Sequence, residues 1–167
     1  MTEHDAVAGL SIAKVLALVL TANGAPVLAR RFAPGVWAKP VDGGATWRGR
    51  RLLGSHKTWR GLAASMVGCA VAAPLLGLPV AAGLAAGAAA MLGDLLSSFI
   101  KRRRGLESGG MAFGIDQIPE SLLPALIVQR WLPLGLVEIV LIPLIFLLLE
   151  LPLSRLLFRL GIRQRPH

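Results

Sequence analysis

Two aspartates flank a run of basic residues in the middle of the chain. Asp94 lies near the end of an apolar segment, the basic run Lys101–Arg104 follows, and Asp116 comes after a glycine-rich stretch. Carboxylates coordinate Mg²⁺ through one or two oxygens, while substrate phosphates complete the shell. Arginine and lysine neutralise phosphate charge, and glycines let backbone N–H groups approach it. The pattern therefore indicates a site for a metal ion and phosphates, suited to phosphoryl or nucleotidyl transfer.

The composition places this candidate site at a membrane. Hydrophobic residues make up 54% of the 167-residue chain and charged residues only 16%, which indicates an integral membrane protein. The net charge of +9 comes from basic residues in the gaps between apolar segments, so no nucleic-acid partner is expected. The single cysteine, Cys69, excludes a disulfide or cysteine-rich metal framework.

The apolar segments predict an all-α, polytopic fold with about five transmembrane helices in a single domain, residues 1–167. A turn is expected at Pro74–Pro79, and the fourth segment is short enough to be tilted, broken or partly re-entrant. The helices are expected at residues 6–28, 61–78, 79–100, 117–131 and 132–158, and the loops at 29–60 and 101–116.

The distribution of lysine and arginine predicts the topology. Both long loops and the C-terminal tail are basic, whereas the short turns nearly lack charge. The positive-inside rule then places the N-terminus outside the cell membrane, and the C-terminus and the site in the cytoplasm. Taken alone, the basic run and the basic loop 29–60 also have a simpler interpretation, as orientation signals that contact lipid headgroups.

Individual polar residues in apolar surroundings leave alternatives open. Asp94 is a functional candidate because a carboxylate inside a membrane helix is unfavourable, and Ser98 shares its helix face. The alternative for Asp94 is an ion pair with Lys14 or Arg130 inside the bundle. Near the end of the first segment, Asn23–Pro26 predicts either a simple kink or a polar notch that opens towards the site.

Several motifs occur together between Asn23 and Asp116 and carry a family resemblance. They are NGAPVLA (23–29), PVDGG (40–44), GRRLLGSHKTWRG (49–61) and GDLLSSFIKRR (93–103). They resemble the motifs of the CDP-archaeol synthase family, membrane CTP:lipid-phosphate cytidylyltransferases related to phosphatidate cytidylyltransferase. The resemblance implies a five-helix nucleotidyltransferase that joins CTP to a lipid phosphate in the bilayer, releases pyrophosphate and uses Mg²⁺. A homo-oligomer is left open.

The resemblance also implies roles for individual residues. Asp94 and Asp116 would bind the metal and, with Lys101, take part in catalysis. The expected substrate-binding residues hold phosphates or line the site: Asn23, Asp42, Lys57, Arg60, Ser98 and Arg102.

One departure from the family pattern motivates a second hypothesis. The family carries a further acid a few residues after its second aspartate, where this chain has Pro119, and Glu120 follows one residue late. A weakened relative that binds an anionic lipid or a nucleotide without turnover is therefore the alternative. A small transporter with an intramembrane Asp94 is disfavoured because the polar residues gather at one face.

Overall fold

The computed structural model describes residues 3–107 and 112–159, and nearly all of its regular structure is helical. The all-α prediction is confirmed. Two very short strands form an antiparallel hairpin between the first two helices. The elements are α1 (Glu3–Phe32), β1 (Thr46–Trp47), β2 (Arg50–Arg51), α2 (Trp59–Leu75), α3 (Val80–Arg103), α4 (Gln117–Val128) and α5 (Leu136–Arg159).

Three segments are long and apolar enough to cross a membrane: Asp5–Phe32, Val80–Arg103 and Leu136–Leu156. The helices α2 and α4 are apolar but shorter. The 12 residues of α4 extend only about 18 Å, less than a bilayer core of about 30 Å. The chain is thus built to lie in a membrane, while the number of five spans stays a prediction.

Small residues bring the first three helices together. A Cβ added to Gly83 would overlap the Cys69 carbonyl of α2, and one added to Gly87 would crowd the backbone at Met66. On the other side of α2, Gly68 faces the Ala25 side chain of α1. In lipid, where apolar surface gives little driving force, such close backbone packing is a main source of helix association.

Gly93 allows a close backbone contact between α3 and α4. A Cβ at this position would overlap the Pro119 carbonyl and the backbone nitrogen of Glu120. Because Asp94 is the next residue of α3, this close approach places its side chain at the first turn of α4.

The loop between α1 and α2 has its own structure. Backbone hydrogen bonds join Val41 to Lys57 (2.7 Å) and Trp59 to Lys39 (3.2 Å), so the two ends of the loop run side by side. The hairpin between them turns at Arg48 and Gly49, which both have positive φ angles. Positive φ at both central residues is the geometry that two-residue hairpins favour.

Asp42 holds this loop together from inside. Its side chain is fully buried, and its carboxylate accepts four hydrogen bonds, from the backbone N–H groups of Gly44, Leu53 and Gly54 and from Nη2 of Arg51. Burial raises the pKa of Asp42, but the hydrogen bonds outweigh burial and lower the pKa from 3.8 to about 2. The ionised form of Asp42 is therefore the form that stabilises the loop.

The first helix differs from its prediction. It does not end at residue 28 but continues through Pro26 to Phe32. The side chains of Thr21 and Asn23 donate to carbonyls one turn earlier, those of Ala17 and Val19. These bonds keep both polar groups within the helix, which favours the kink interpretation over a polar notch. Gly109 and Gly110 of the glycine-rich stretch, and the tail after residue 159, lie outside the described residues.

We predict that Gly93→Ala separates α3 from α4. The added methyl group would meet backbone atoms that cannot move aside, and overpacking of this kind typically costs about 1–3 kcal/mol. The thermal midpoint of the purified protein in detergent should fall. Gly9→Ala, where no atom lies within 4 Å of an added Cβ, is the matched control and should leave the midpoint unchanged or slightly raised. Equal midpoints for the two variants would contradict the close contact.

We predict that Asp42→Asn loosens the loop between α1 and α2 at neutral pH. Loss of the charge weakens hydrogen bonds to an ionised group, and limited proteolysis within residues 38–56 should become roughly tenfold faster.

Low pH should also loosen the loop between α1 and α2 in the wild-type protein. The pKa of Asp42 is lower in the folded loop than the ordinary value of 3.8, so its stabilisation is complete above about pH 4 and is lost as the pH falls through about 2. The Asp42→Asn variant should lack this acid step. A proteolysis rate in the variant equal to that of the wild type at pH 7 would refute the role of Asp42.

Candidate active site

The centre of the site is an ion pair between the loop and α3. Nζ of Lys57, just before α2, lies 2.5 Å from Oδ1 of Asp94, and both side chains are largely buried. Burial lowers the pKa of Lys57, but the negative charge and hydrogen bond of Asp94, with the other nearby acids, outweigh burial and raise the pKa. Lys57 is therefore a cation at neutral pH. Asp94 thus forms its ion pair with Lys57, and not with Lys14 or Arg130, which were the alternatives.

A second carboxyl group stands beside Asp94. Glu120 on the first turn of α4 is 7% exposed, and its carboxyl group lies close enough to that of Asp94 for the two to interact. Two carboxylates this close repel each other, and a shared proton or a bound cation relieves the repulsion. The pair therefore offers clustered oxygen atoms that a cation could bind in place of that proton.

The other predicted acid has its own lysine. Nζ of Lys101 lies 2.6 Å from Oδ1 of Asp116, with side chains 9% and 14% exposed. The second carboxylate oxygen of Asp116 accepts from the Ala112 N–H (2.9 Å). Gln117, 1% exposed, accepts from Gly114 through Oε1. Its Nε2 has no hydrogen-bond partner among the described residues, so this buried donor is available to a ligand.

Three arginines line a cavity at the end of α3. Arg102 is 7% exposed and donates from Nη2 to the Glu107 carbonyl (2.5 Å). Its Nε has no partner in the part of the chain that the structure describes. Ser98, one turn earlier on α3, is 2% exposed. The cavity has a volume of about 300 Å³ and is lined by Arg50, Arg51, Gly54, Arg102, Gly105 and Leu106. Its arginines suit it to an anion.

Three of the predicted substrate-binding residues make contacts within α1 or the loop and are not seen in contact with Asp94 or Glu120. Asn23 donates to its own helix α1, and Asp42 is enclosed by the loop. Arg60 donates to three carbonyls after α1, those of Ala33, Pro34 and Val36. These contacts shape the loop that carries Lys57. The structure therefore brings together Asp94, Lys57, Lys101 and Asp116, with Ser98 and Arg102 on the same helix.

Sequence reasoning missed Glu120 and Gln117 as site residues. Glu120 was treated as displaced by one position, although it lies four residues after Asp116. That spacing places both on one face of a helix. The sequence-based prediction of a helix from residue 117, which the structure also has, could have pointed to Glu120. Gln117 carried no comparable signal, because a glutamine at a helix start is common on exposed surfaces.

No cluster of three or more histidine, cysteine or acidic side chains forms a ready metal cage within residues 3–107 and 112–159. Mg²⁺ commonly binds through one or two carboxylates together with substrate phosphates and water. The carboxyl oxygens of Asp94 and Glu120, close to several cations, fit a metal that arrives with a phosphorylated substrate.

Comparisons with known proteins identify relatives of this chain. A family model described as "CarS-like: CDP-archaeol synthase" matches residues 75–167. The CDP-archaeol synthase of Hyperthermus butylicus is 43% identical over 113 residues, which are 62% of this chain and 64% of that protein. The CDP-archaeol synthase of Halorubrum lacusprofundi is 42% identical over 48% of this chain and 53% of its own. In both alignments the chain spans less than two thirds of the relative.

Other matches are longer. The CDP-archaeol synthase of Halobacterium salinarum is 34% identical over 150 residues, 77% of this chain and 83% of that protein. A solved structure, described as "Structural insight into an intramembrane enzyme for archaeal membrane lipids biosynthesis", has a TM-score of 0.73 and 30% identity and covers 84% of this chain and 90% of its own. Family description, relatives and fold coincide, and this membrane-embedded helical chain belongs to the CDP-archaeol synthase family.

Proposed function

We propose that the chain is a cytidylyltransferase that joins CTP to a membrane lipid phosphate, yielding a CDP-lipid and pyrophosphate. The observation that carries the proposal is the pair of largely buried aspartate–lysine contacts, Asp94–Lys57 and Asp116–Lys101, together with an arginine-lined cavity at the end of α3. The name CDP-archaeol synthase, which the aligned relatives share, supports the same activity. The reaction needs carboxylates for a metal ion and cations for phosphates, and this site contains both.

Mg²⁺ is the proposed cofactor, with Asp94 and Asp116 as its protein ligands. Glu120 lies beside Asp94 and adds a further oxygen donor, one residue after the position where the family pattern has an acid. When bound, the metal would screen the phosphate charges and orient the α-phosphate of CTP. Because each aspartate already holds a lysine, occupation of the carboxylates would release both ammonium groups towards the phosphates.

The chemistry then follows from charge and position. An oxygen of the lipid phosphate attacks the α-phosphorus of CTP, the bond to the β-phosphate breaks, and pyrophosphate leaves. Lys57 and Lys101 stabilise the negative charge that spreads over the reacting phosphates. Arg102 and the cavity beside it would receive the departing pyrophosphate, and the buried Nε2 of Gln117 would donate to a phosphate oxygen.

The membrane arrangement is also part of the proposal. Residues 1–167 act as one membrane-embedded domain, with the N-terminus outside and the C-terminus and site in the cytoplasm. The basic loop between α1 and α2 and the basic end of α3 support this orientation. The lipid substrate would enter from the bilayer past residues 23–26 of α1, and its tails would remain in lipid. CTP would enter from the cytoplasm.

We expect labelled CTP to enter the lipid fraction when purified protein is supplied with a lipid phosphate and Mg²⁺. Asp94→Asn should lower the rate about 100-fold or more, because it removes a carboxylate that would hold the metal ion at the reacting phosphates. Glu120→Gln should lower the rate about tenfold or more, as changes beside metal ligands do. The assay should offer phosphatidic acid and an unsaturated archaeal-type ether-lipid phosphate in parallel, with EDTA as the metal-free arm.

Glu138→Gln is the matched control, since it also neutralises one glutamate but lies at the start of α5, where its carboxylate accepts from Gly135. It should keep the wild-type rate. Folded wild-type protein that labels neither lipid would exclude the activity for these substrates and favour binding without turnover. A Glu120→Gln rate equal to that of Glu138→Gln would exclude a role for Glu120.

A further inference from the structure

The last residue of α3, Arg103, hydrogen-bonds the β1–β2 hairpin of the loop between α1 and α2. Its Nη1 donates to the Trp47 carbonyl (2.6 Å), and its Nη2 donates to the carbonyls of Arg50 (3.2 Å) and Arg51 (2.8 Å). In return, Nη1 of Arg50 lies 3.5 Å from the Arg103 carbonyl. One guanidinium group thus binds both strands of the hairpin.

Two aromatic rings support the same guanidinium group. The rings of Trp47 and Phe99 are stacked with centroids 6.0 Å apart. The guanidinium carbon of Arg103 lies 5.2 Å from the first centroid and 5.4 Å from the second. Cation–π contacts of this kind hold a planar guanidinium in one orientation. The hairpin is therefore joined to α3 by both its backbone and a side chain.

The hairpin needs such support. Each strand has two residues, and an isolated two-stranded hairpin is only marginally stable in water. It carries Arg50 and Arg51, which line the cavity beside Arg102. Arg51 also pairs with Asp42, which organises the loop before Lys57. A displaced hairpin would therefore move the cavity wall away from α3.

We propose that Arg103 is a positioning residue that fixes the hairpin, and with it the phosphate-binding cavity wall, at the end of α3. The inference rests on the proposed function for the identity of the anion, a nucleoside triphosphate. We assign Arg103 no contact with substrate, because both terminal nitrogens of its guanidinium group donate to hairpin carbonyls. Its role differs from that of its neighbour Arg102, which lines the cavity itself.

The side chain has to be arginine for this role. A lysine would keep the charge but could not present two parallel donors to carbonyls of different residues, nor stack flat on the rings. Arg104, the next residue, is exposed at the end of the helix. Arg104→Gln is therefore the control, because it removes the same charge as Arg103→Gln. Phe99→Leu removes one ring beneath the guanidinium and leaves its donors intact.

The test compares Arg103→Gln and Arg103→Lys with Arg104→Gln and wild type, using full-length protein in detergent. Hydrogen exchange is measured on peptides that cover residues 45–54 and, as an internal reference, residues 82–91 of α3. In Arg103→Gln we expect exchange about tenfold faster in the hairpin, since hydrogen bonds to a charged donor are lost. The α3 peptides and the whole of Arg104→Gln should match wild type.

Steady-state kinetics supply the second measurement. Both Arg103 variants should raise the KM for CTP about tenfold, with kcat changed much less, because binding geometry is lost while the reacting groups remain. Unchanged hairpin exchange in Arg103→Gln, or the same increase in Arg104→Gln, overturns the proposal. Faster exchange with an unchanged KM for CTP overturns it too, because Arg103 would then be purely structural.

The proposal can still be tested if Arg103→Gln does not fold or if the wild-type protein is inactive. If Arg103→Gln does not fold, Arg103→Lys and Phe99→Leu are judged by the same two measurements and the same criteria. If wild-type protein transfers no label from CTP to either lipid, the proposed function fails. The KM for CTP is then replaced by the dissociation constant for CTP measured by titration. Loss of CTP affinity in the Arg103 variants still supports the positioning role, and unchanged affinity refutes it.

Discussion

A carboxylate inside a membrane-spanning helix requires a partner, and in this chain Lys57 supplies it to Asp94 from the loop before α2. Leaving either charge buried alone would be strongly unfavourable, so the pair ties the loop to α3. The two ends of the loop run side by side through the Val41–Lys57 backbone bond, which helps to hold Lys57 in place for this contact. Much of the polar architecture of the chain can be traced to this one contact.

Two kinds of attachment keep the loop and the helices in register. Within the helices, Gly83 and Gly93 allow close backbone contacts, so α3 packs tightly against both α2 and α4. In the loop between α1 and α2, Asp42 and Arg103 form hydrogen bonds to backbone groups. Helix packing sets where Asp94 lies, and the loop contacts set which cations face it. Neither alone would assemble the site.

The sequence was informative where apolar length, charge asymmetry and motif order carry the signal. It predicted the helical membrane fold and singled out Asp94, Lys57, Lys101 and Asp116, which the structure brings into two ion pairs. It could not show that Arg60 serves backbone carbonyls, because basic residues that bind phosphate or cap a turn look alike in a sequence. The run Lys101–Arg104 was similarly uniform by composition, yet packing gives Lys101, Arg102 and Arg103 three different surroundings.

The departure at Pro119 is accommodated by the geometry of α4. The helix begins at Gln117, so Pro119 lies in the first turn, where a backbone N–H has no partner within the helix and its loss costs little. The Pro119 carbonyl packs at Gly93, and the following residue, Glu120, lies beside Asp94. An acid one position late in sequence thus still lies in the candidate site. The proline that motivated the hypothesis of a weakened relative is compatible with this position of the second carboxyl group.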